Sequence, residues 1–123
     1  MRRLLHTGWI GISLLWMFAS APSAARTVHV ISVDASINPA TADFIETSID
    51  KATEDGAECI VIRLNTPGGL LKSTRVIVSG ILEARIPVII YVAPSGAQSA
   101  SAGVFITLAG HVAAMAPGTN IGA

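Results

Sequence analysis

The chain has 123 residues, 51% of them apolar and 13% charged, with eight basic and eight acidic side chains in balance. So many core-forming residues speak against a disordered segment, and so little positive charge speaks against a nucleic-acid surface. The length allows one modest domain, large enough for a hydrophobic core but short for a complete α/β enzyme.

Met1 to Ala25 do not read as part of a fold. Arg2-Arg3 makes a positive start, Leu4 to Phe18 an apolar middle and Ser23-Ala24-Ala25 a small-residue end. That is the pattern of a secretory signal peptide cut before Arg26. An uncleaved anchor is the rival, but the apolar run is short for the roughly 20 residues a bilayer needs and Gly8 and Gly11 interrupt it. Trp9 and Trp16 then belong to the leader, and the remainder from Arg26 to Ala123 is an exported, periplasmic or membrane-associated domain. Removing Arg2 and Arg3 from the eight basic residues leaves six against eight acidic ones, so phosphate polymers and anionic lipid find no strong lure.

Thr27 to Val33 reads as the first strand, with His29 a surface residue at its start rather than a base. Asn38 can cap a helix that Pro39 opens. The helix is predicted to run to about Asp55, with Gly56 supplying a left-handed stop. Phe44, Ile45, Ile49 and Ala52 are predicted to face the sheet, while Asp43, Glu46, Asp50 and Glu54 form a solvated face. These carboxylates have no metal-ligand spacing, and neither metal nor cofactor is expected. Cys59 to Ile62 is a second strand, apolar enough to be covered on both faces. Cys59 is the single cysteine, so it makes no internal disulfide and serves as packing.

Gly68 to Ser73 lacks the glycine spacing of a phosphate-binding loop. From Leu71 to about Ala84 a second helix is predicted, with Thr74, Ile77, Val78, Ile81 and Leu82 turned inward and Lys72 solvated on its first turn. Pro87 to Val92 is a third strand. A short helix follows from about Ser101 to Gly110, carrying Val104, Phe105 and Leu108. At about 1.5 Å per residue His111 falls on the order of 15 Å from Ser101, too far for a general base. Val112 to Met115 is a last short strand, and Pro117-Gly118-Thr119 a turn.

Alternating strands and helices make this an α/β layer. Two strand-to-helix crossings stand out, Asn65-Thr66-Pro67-Gly68-Gly69 and Pro94 to Gly103. In a parallel sheet such turns gather at the carboxyl edges of the strands, where backbone N–H groups face a ligand. One offers hydroxyls and the other bare amides, which suits acyl transfer: an exposed nucleophile beside two oxyanion donors. Ser101 is the candidate nucleophile, with the amides of Gly69 and Ala102 as donors, and Gly68, Leu70 and Ser99 are placed on the substrate side. Ser99 competes for the nucleophile's role and otherwise serves as a loop hydrogen-bonder or orienter, and the pattern around Ser101 lacks the G-x-S-x-G of α/β-hydrolases because Ser99 occupies the place of the first glycine.

The runs N-T-P-G-G-L-L from Asn65, P-V-I-I-Y-V-A-P-S-G-A from Pro87, A-S-A-G from Ala100 and M-A-P-G-T-N-I-G-A from Met115 resemble the NfeD-type membrane-bound serine proteases. That family lies in the ClpP class of the ClpP/crotonase superfamily, and the likeness covers nearly all of the chain after Arg26, in order. It implies a ClpP/crotonase-like layered sheet with covering helices, truncated here, and a Ser-Lys endopeptidase with Ser101 as nucleophile and Gly69 and Ala102 as oxyanion amides. It also implies a polypeptide substrate, a stomatin-like membrane partner and a homo-oligomer in the complete protein. The family's lysine lies several tens of residues past the nucleophile, beyond Ala123, so the chain as given is expected to be weak or inactive. Two other classes stay open: a crotonase-like acyl-CoA enzyme using the paired amides without Ser101, and a non-catalytic module holding a membrane partner.

Overall fold

The computed structural model describes residues 25–123. The leader expected over Met1 to Ala25 therefore lies, but for its last residue, outside the described residues. A four-stranded parallel sheet in the order β1-β2-β3-β5 is built from β1 (Val28–Asp34), β2 (Cys59–Asn65), β3 (Val88–Val92) and β5 (Val112–Met115). Three helices connect these strands: α1 (Pro39–Glu54), α2 (Leu71–Glu83) and α3 (Ala102–Ala109). A second sheet, two parallel strands β4 (Gln98–Ala100) and β6 (Asn120–Gly122), stands at the carboxyl end of the first.

The helix boundaries follow the local chemistry. Asn38 is extended at φ −146° and accepts from the Thr41 N–H, while the Thr41 hydroxyl accepts the Asn38 N–H, a reciprocal capping box with Pro39 in the first turn. The chain leaves α1 through Gly56 at φ 67°, as its sequence position suggests. α1 buries the face read from sequence at Ile45, Ile49 and Ala52, and departs from it at one position, where Ala42 takes the place of Phe44. Phe44 is exposed.

The core is one cluster, in which Ile60, Ile62 and Leu64 of β2 and Val88 and Ile90 of β3 meet Ile45, Ile49, Ile77, Ile81 and Ile106 from the helices. All these strand residues share one face, since side chains alternate along a strand. The opposite face is uncovered by helices among the described residues: Val28, Val30 and Arg63 are exposed, and Cys59, Val61, Ile89 and Tyr91 half-buried. Coverage of both faces, expected from the apolar run in β2, is thus corrected. The reason is topological. Strands added successively in one direction through right-handed crossovers place every connecting helix on the same side.

One further correction concerns a helix face: Leu82 of α2 is exposed rather than inward. α3 buries Ile106 and Thr107 while Phe105 and Leu108 stand out. Together with Leu71 and Val78 these exposed side chains line an apolar groove between α2 and α3. No helix among the described residues is long and apolar enough to cross a membrane.

Candidate functional site

The two crossings named from the sequence are stitched to each other. The Thr66 N–H donates to the Gln98 carbonyl at 2.8 Å, and the Ala100 N–H donates to the Thr66 carbonyl at 3.0 Å. The Asn65 side chain adds a third strand to the junction, donating to Asp34 Oδ1 and accepting from the Gln98 N–H, each at 3.0 Å. β4 exists because of these bonds, with Thr66 on one side and β6 on the other.

On the first crossing, the Gly68 N–H is taken by the Thr66 hydroxyl at 3.1 Å. The Leu70 N–H is taken by the Ile37 carbonyl at 2.8 Å, and the Gly68 carbonyl accepts from Ile37 at 2.7 Å. The amide between them, that of exposed Gly69, has no acceptor among the described residues. Glycine is required here by contact as well as by conformation: a Cβ on Gly69, at φ 158°, would stand 2.0 Å from the Ile37 carbonyl oxygen. Leu70 is exposed beside it.

On the second crossing, exposed Ser101 is the residue that caps α3 and adopts φ 52°, ψ −110°. A non-glycine residue in this region carries strain on the order of 1–3 kcal/mol, which clusters at functional sites. Its own N–H donates to the Gly122 carbonyl at 3.0 Å, so β6 helps to hold the turn. The next amide, that of Ala102, begins α3 and has no acceptor among the described residues. Ser101 Oγ lies 3.2 Å from where a Cβ on Gly68 would be. Bond lengths and angles then keep the Gly69 nitrogen within about 7 Å of that oxygen, close enough for one reacting carbonyl to meet both.

Ser99 is placed differently from the expectation that it lies on the substrate side. It is fully buried, and its hydroxyl pairs with that of Thr107 at 2.8 Å. With its backbone between Thr66 and Ile121, it presents no atom to solvent. Gly68 is likewise buried, against Ser101. Thr66 and Thr107 are the residues the sequence reading missed; a threonine beside each small-residue turn is the signal the sequence offers, and their burial comes from the fold.

The other titratable candidates are engaged elsewhere. His111 Nδ1 accepts from the Val88 N–H at 3.1 Å, tying β5 to the start of β3. His29 Nε2 meets Asp55 at 3.3 Å, and Lys51 holds the same carboxylate at 3.1 Å. Lys72 is exposed on the first turn of α2, beside Asp43 and Glu46 of α1.

Residues 27–123 match the family described as NfeD1b, N-terminal domain. The chain belongs to that family. The NfeD1b-type domain is 44% identical over 123 residues to the membrane-bound protease PH1510 of Pyrococcus horikoshii, covering 100% of this chain and 27% of that protein. Among solved structures it is similar to the 1510-N membrane-bound stomatin-specific protease, seen as a lysine-to-alanine mutant in complex with a substrate peptide. That match has 47% identity and a TM-score of 0.80, covering 81% of this chain and 46% of that one. A serine-to-alanine mutant of the same protease matches at 45% identity and a TM-score of 0.78, over 80% of this chain and 47% of that one. Likeness of fold extends to a ClpP1 from Listeria monocytogenes, at 22% identity and a TM-score of 0.61, over 67% of this chain and 46% of that one. The NfeD1b-type domain therefore has the ClpP-like α/β fold, and it spans about a quarter of the curated relative and about half of the solved chains.

Proposed function

We propose that this domain carries the nucleophile and the oxyanion donors of a Ser-Lys endopeptidase acting on membrane-associated or exported polypeptide. The observation that carries the reading is the placement of the Ser101 hydroxyl against Gly68, flanked by the amides of Gly69 and Ala102, which have no acceptor among the described residues. The Ser101 oxygen attacks the scissile carbonyl and its proton passes to the lysine. The two amides hold the oxyanion, and collapse expels the amine with that proton. Water then hydrolyses the acyl-enzyme by the same route.

Support for a serine and a lysine comes from the similar protease, of which mutants of one serine and one lysine have been solved, the latter with a substrate peptide. Lys51 is paired and Lys72 stands on an exposed helix turn, so the base is assigned to sequence beyond Ala123, and residues 1–123 on their own to weak or no activity. A stomatin-like membrane protein is the proposed partner, on the strength of the relative's description as stomatin-specific. Membrane association likewise follows the membrane-bound relative. The apolar groove between α2 and α3 begins, along the chain, next to both crossings, at Leu71 and Phe105, and suits a peptide with apolar side chains. Residues 1–25 are assigned as a leader and Arg26 to Ala123 as the amino-terminal part of the protease domain.

The test uses the full-length gene product and a fluorophosphonate probe, from which the Ser101 oxygen displaces fluoride. Wild type is expected to be labelled at Ser101 and Ser101→Ala to be inert toward probe and peptide alike. Equal labelling of the two would refute the assignment.

A further inference from the structure

Ser99 and Thr107 are 0% and 2% exposed, and their hydroxyls meet at 2.8 Å. A buried hydroxyl pair stabilises a core little better than an apolar pair of the same shape, because both groups give up water to form it. Its position gives it another use. Ser99 precedes Ser101 by two residues and Thr107 follows it by six, so the bond closes across the turn that holds the nucleophile.

The other bonds to that turn are made by backbone, from the Ser101 N–H to Gly122 and from the Ala100 N–H to Thr66. Ser101 makes no side-chain cap to α3. The first turn of α3 sits directly on Ser99: a Cβ on Gly103 would stand 2.6 Å from Ser99 Oγ and 2.8 Å from Thr66 Cγ2. Ser99 thus braces the helix start from beneath and ties back to the same helix farther along, through Thr107. Release of this bond frees α3 to shift against β4, and the left-handed geometry of Ser101 is the first thing such a shift relaxes.

From this placement, and resting on the peptidase reading above, we infer that the Ser99–Thr107 pair is a positioning clamp that holds Ser101 in its attacking geometry. Neither residue touches substrate. Their loss acts on the chemical step and leaves ground-state binding alone.

The measurement is the inactivation of the full-length protein by the fluorophosphonate probe, resolved into the maximal rate constant and the half-saturating concentration. Thr107→Val, which keeps shape and removes the hydroxyl, is expected to lower the maximal rate about tenfold or more with half-saturation unchanged within about twofold. Ser99→Ala is expected to do the same, and the double variant to be no slower than the slower single, as for two halves of one interaction. Thr107→Ser restores the hydroxyl and the rate.

Unchanged rates, losses that vanish on correction for the folded fraction measured by circular dichroism, or additive losses in the double variant would overturn the clamp. Should Thr107→Val not fold, Thr107→Ser and Thr107→Ala differ in the hydroxyl alone, and equal rates for those two overturn it as well. A wild-type protein not labelled at Ser101 is a separate result, which removes the peptidase reading and the clamp with it.

Discussion

The Thr66 hydroxyl accepts the Gly68 N–H at 3.1 Å and lies 3.3 Å from the Gly68 carbonyl oxygen, so one buried side chain meets both backbone groups of Gly68, whose carbonyl shares a peptide unit with the Gly69 amide. Thr66 is completely buried. Replacing it with valine keeps the volume and leaves the Gly68 N–H without a partner. The expected loss is about 1–3 kcal/mol of stability, together with lower peptidase activity as the donor turn loosens. Thr66→Ser should recover most of both. Urea denaturation and peptide cleavage by the full-length protein check this, and a Thr66→Val protein as stable and active as wild type would contradict it.

Two glycines in the crossings separate steric need from conformational need. Gly69→Ala drives a Cβ to 2.0 Å from the Ile37 backbone, which cannot move aside as a flexible side chain would. Gly96, at φ 82°, has nothing within 4 Å of the added carbon. Gly96→Ala should therefore cost only the left-handed penalty of about 1–2 kcal/mol and retain probe labelling. Gly69→Ala should lose labelling altogether and lower the unfolding midpoint further. Comparable behaviour of the two variants would mean that the Gly69 turn is not held against Ile37 as described.

Much of this architecture was legible in the sequence, for reasons that can be named. Asn38-Pro39 and Gly56 bound α1 through local chemistry, the Val- and Ile-rich runs mark β1, β2 and β3, and the short apolar run Val112 to Met115 marks β5. Ser101 and Gly69 stand out as candidates because their neighbours also point to turns between a strand and a helix. β4 and β6 were not legible, since three residues give no periodicity and their pairing depends on Thr66, some thirty residues earlier in the chain. The substrate-side placement of Ser99 fails for the same reason, while its reading as a loop hydrogen-bonder agrees with its bond to Thr107. Which serine of a small polar loop is buried is decided by Thr107 and Gly103 across the turn, through contacts that spacing does not encode.

The junction at Asn65 is open to an electrostatic test. Its amide donates to Asp34 Oδ1 and its carbonyl accepts the Gln98 N–H, both at 3.0 Å. Asn65→Asp keeps the acceptor for Gln98 and sets a second carboxylate at hydrogen-bond distance from Asp34. At neutral pH the variant should be destabilised more than Asn65→Ala, and salt should recover part of the difference because like charges near the surface are screened. Thermal unfolding at low and high ionic strength measures it. An Asn65→Asp protein with no salt-dependent deficit would show that Asp34 does not face this amide in solution.

The sequence of α3 does not choose its inward side. The helix is apolar almost throughout, so period alone does not choose a face, and exposure does: Ile106 is 0% accessible, while its neighbour Phe105 is 63% accessible. Ile106 packs in the cluster with the strands, and Ile106→Ala is expected to cost about 2–5 kcal/mol through lost transfer energy and a residual cavity. Phe105→Ala removes a larger side chain from the rim of the groove and should change stability by only about 0.5 kcal/mol. If that groove receives apolar substrate side chains, Phe105→Ala should instead raise KM for peptide cleavage while the probe's maximal rate stays put. Denaturant titration of the two variants decides the packing, and a larger stability loss for Phe105→Ala than for Ile106→Ala would mean that α3 is rotated from the orientation described.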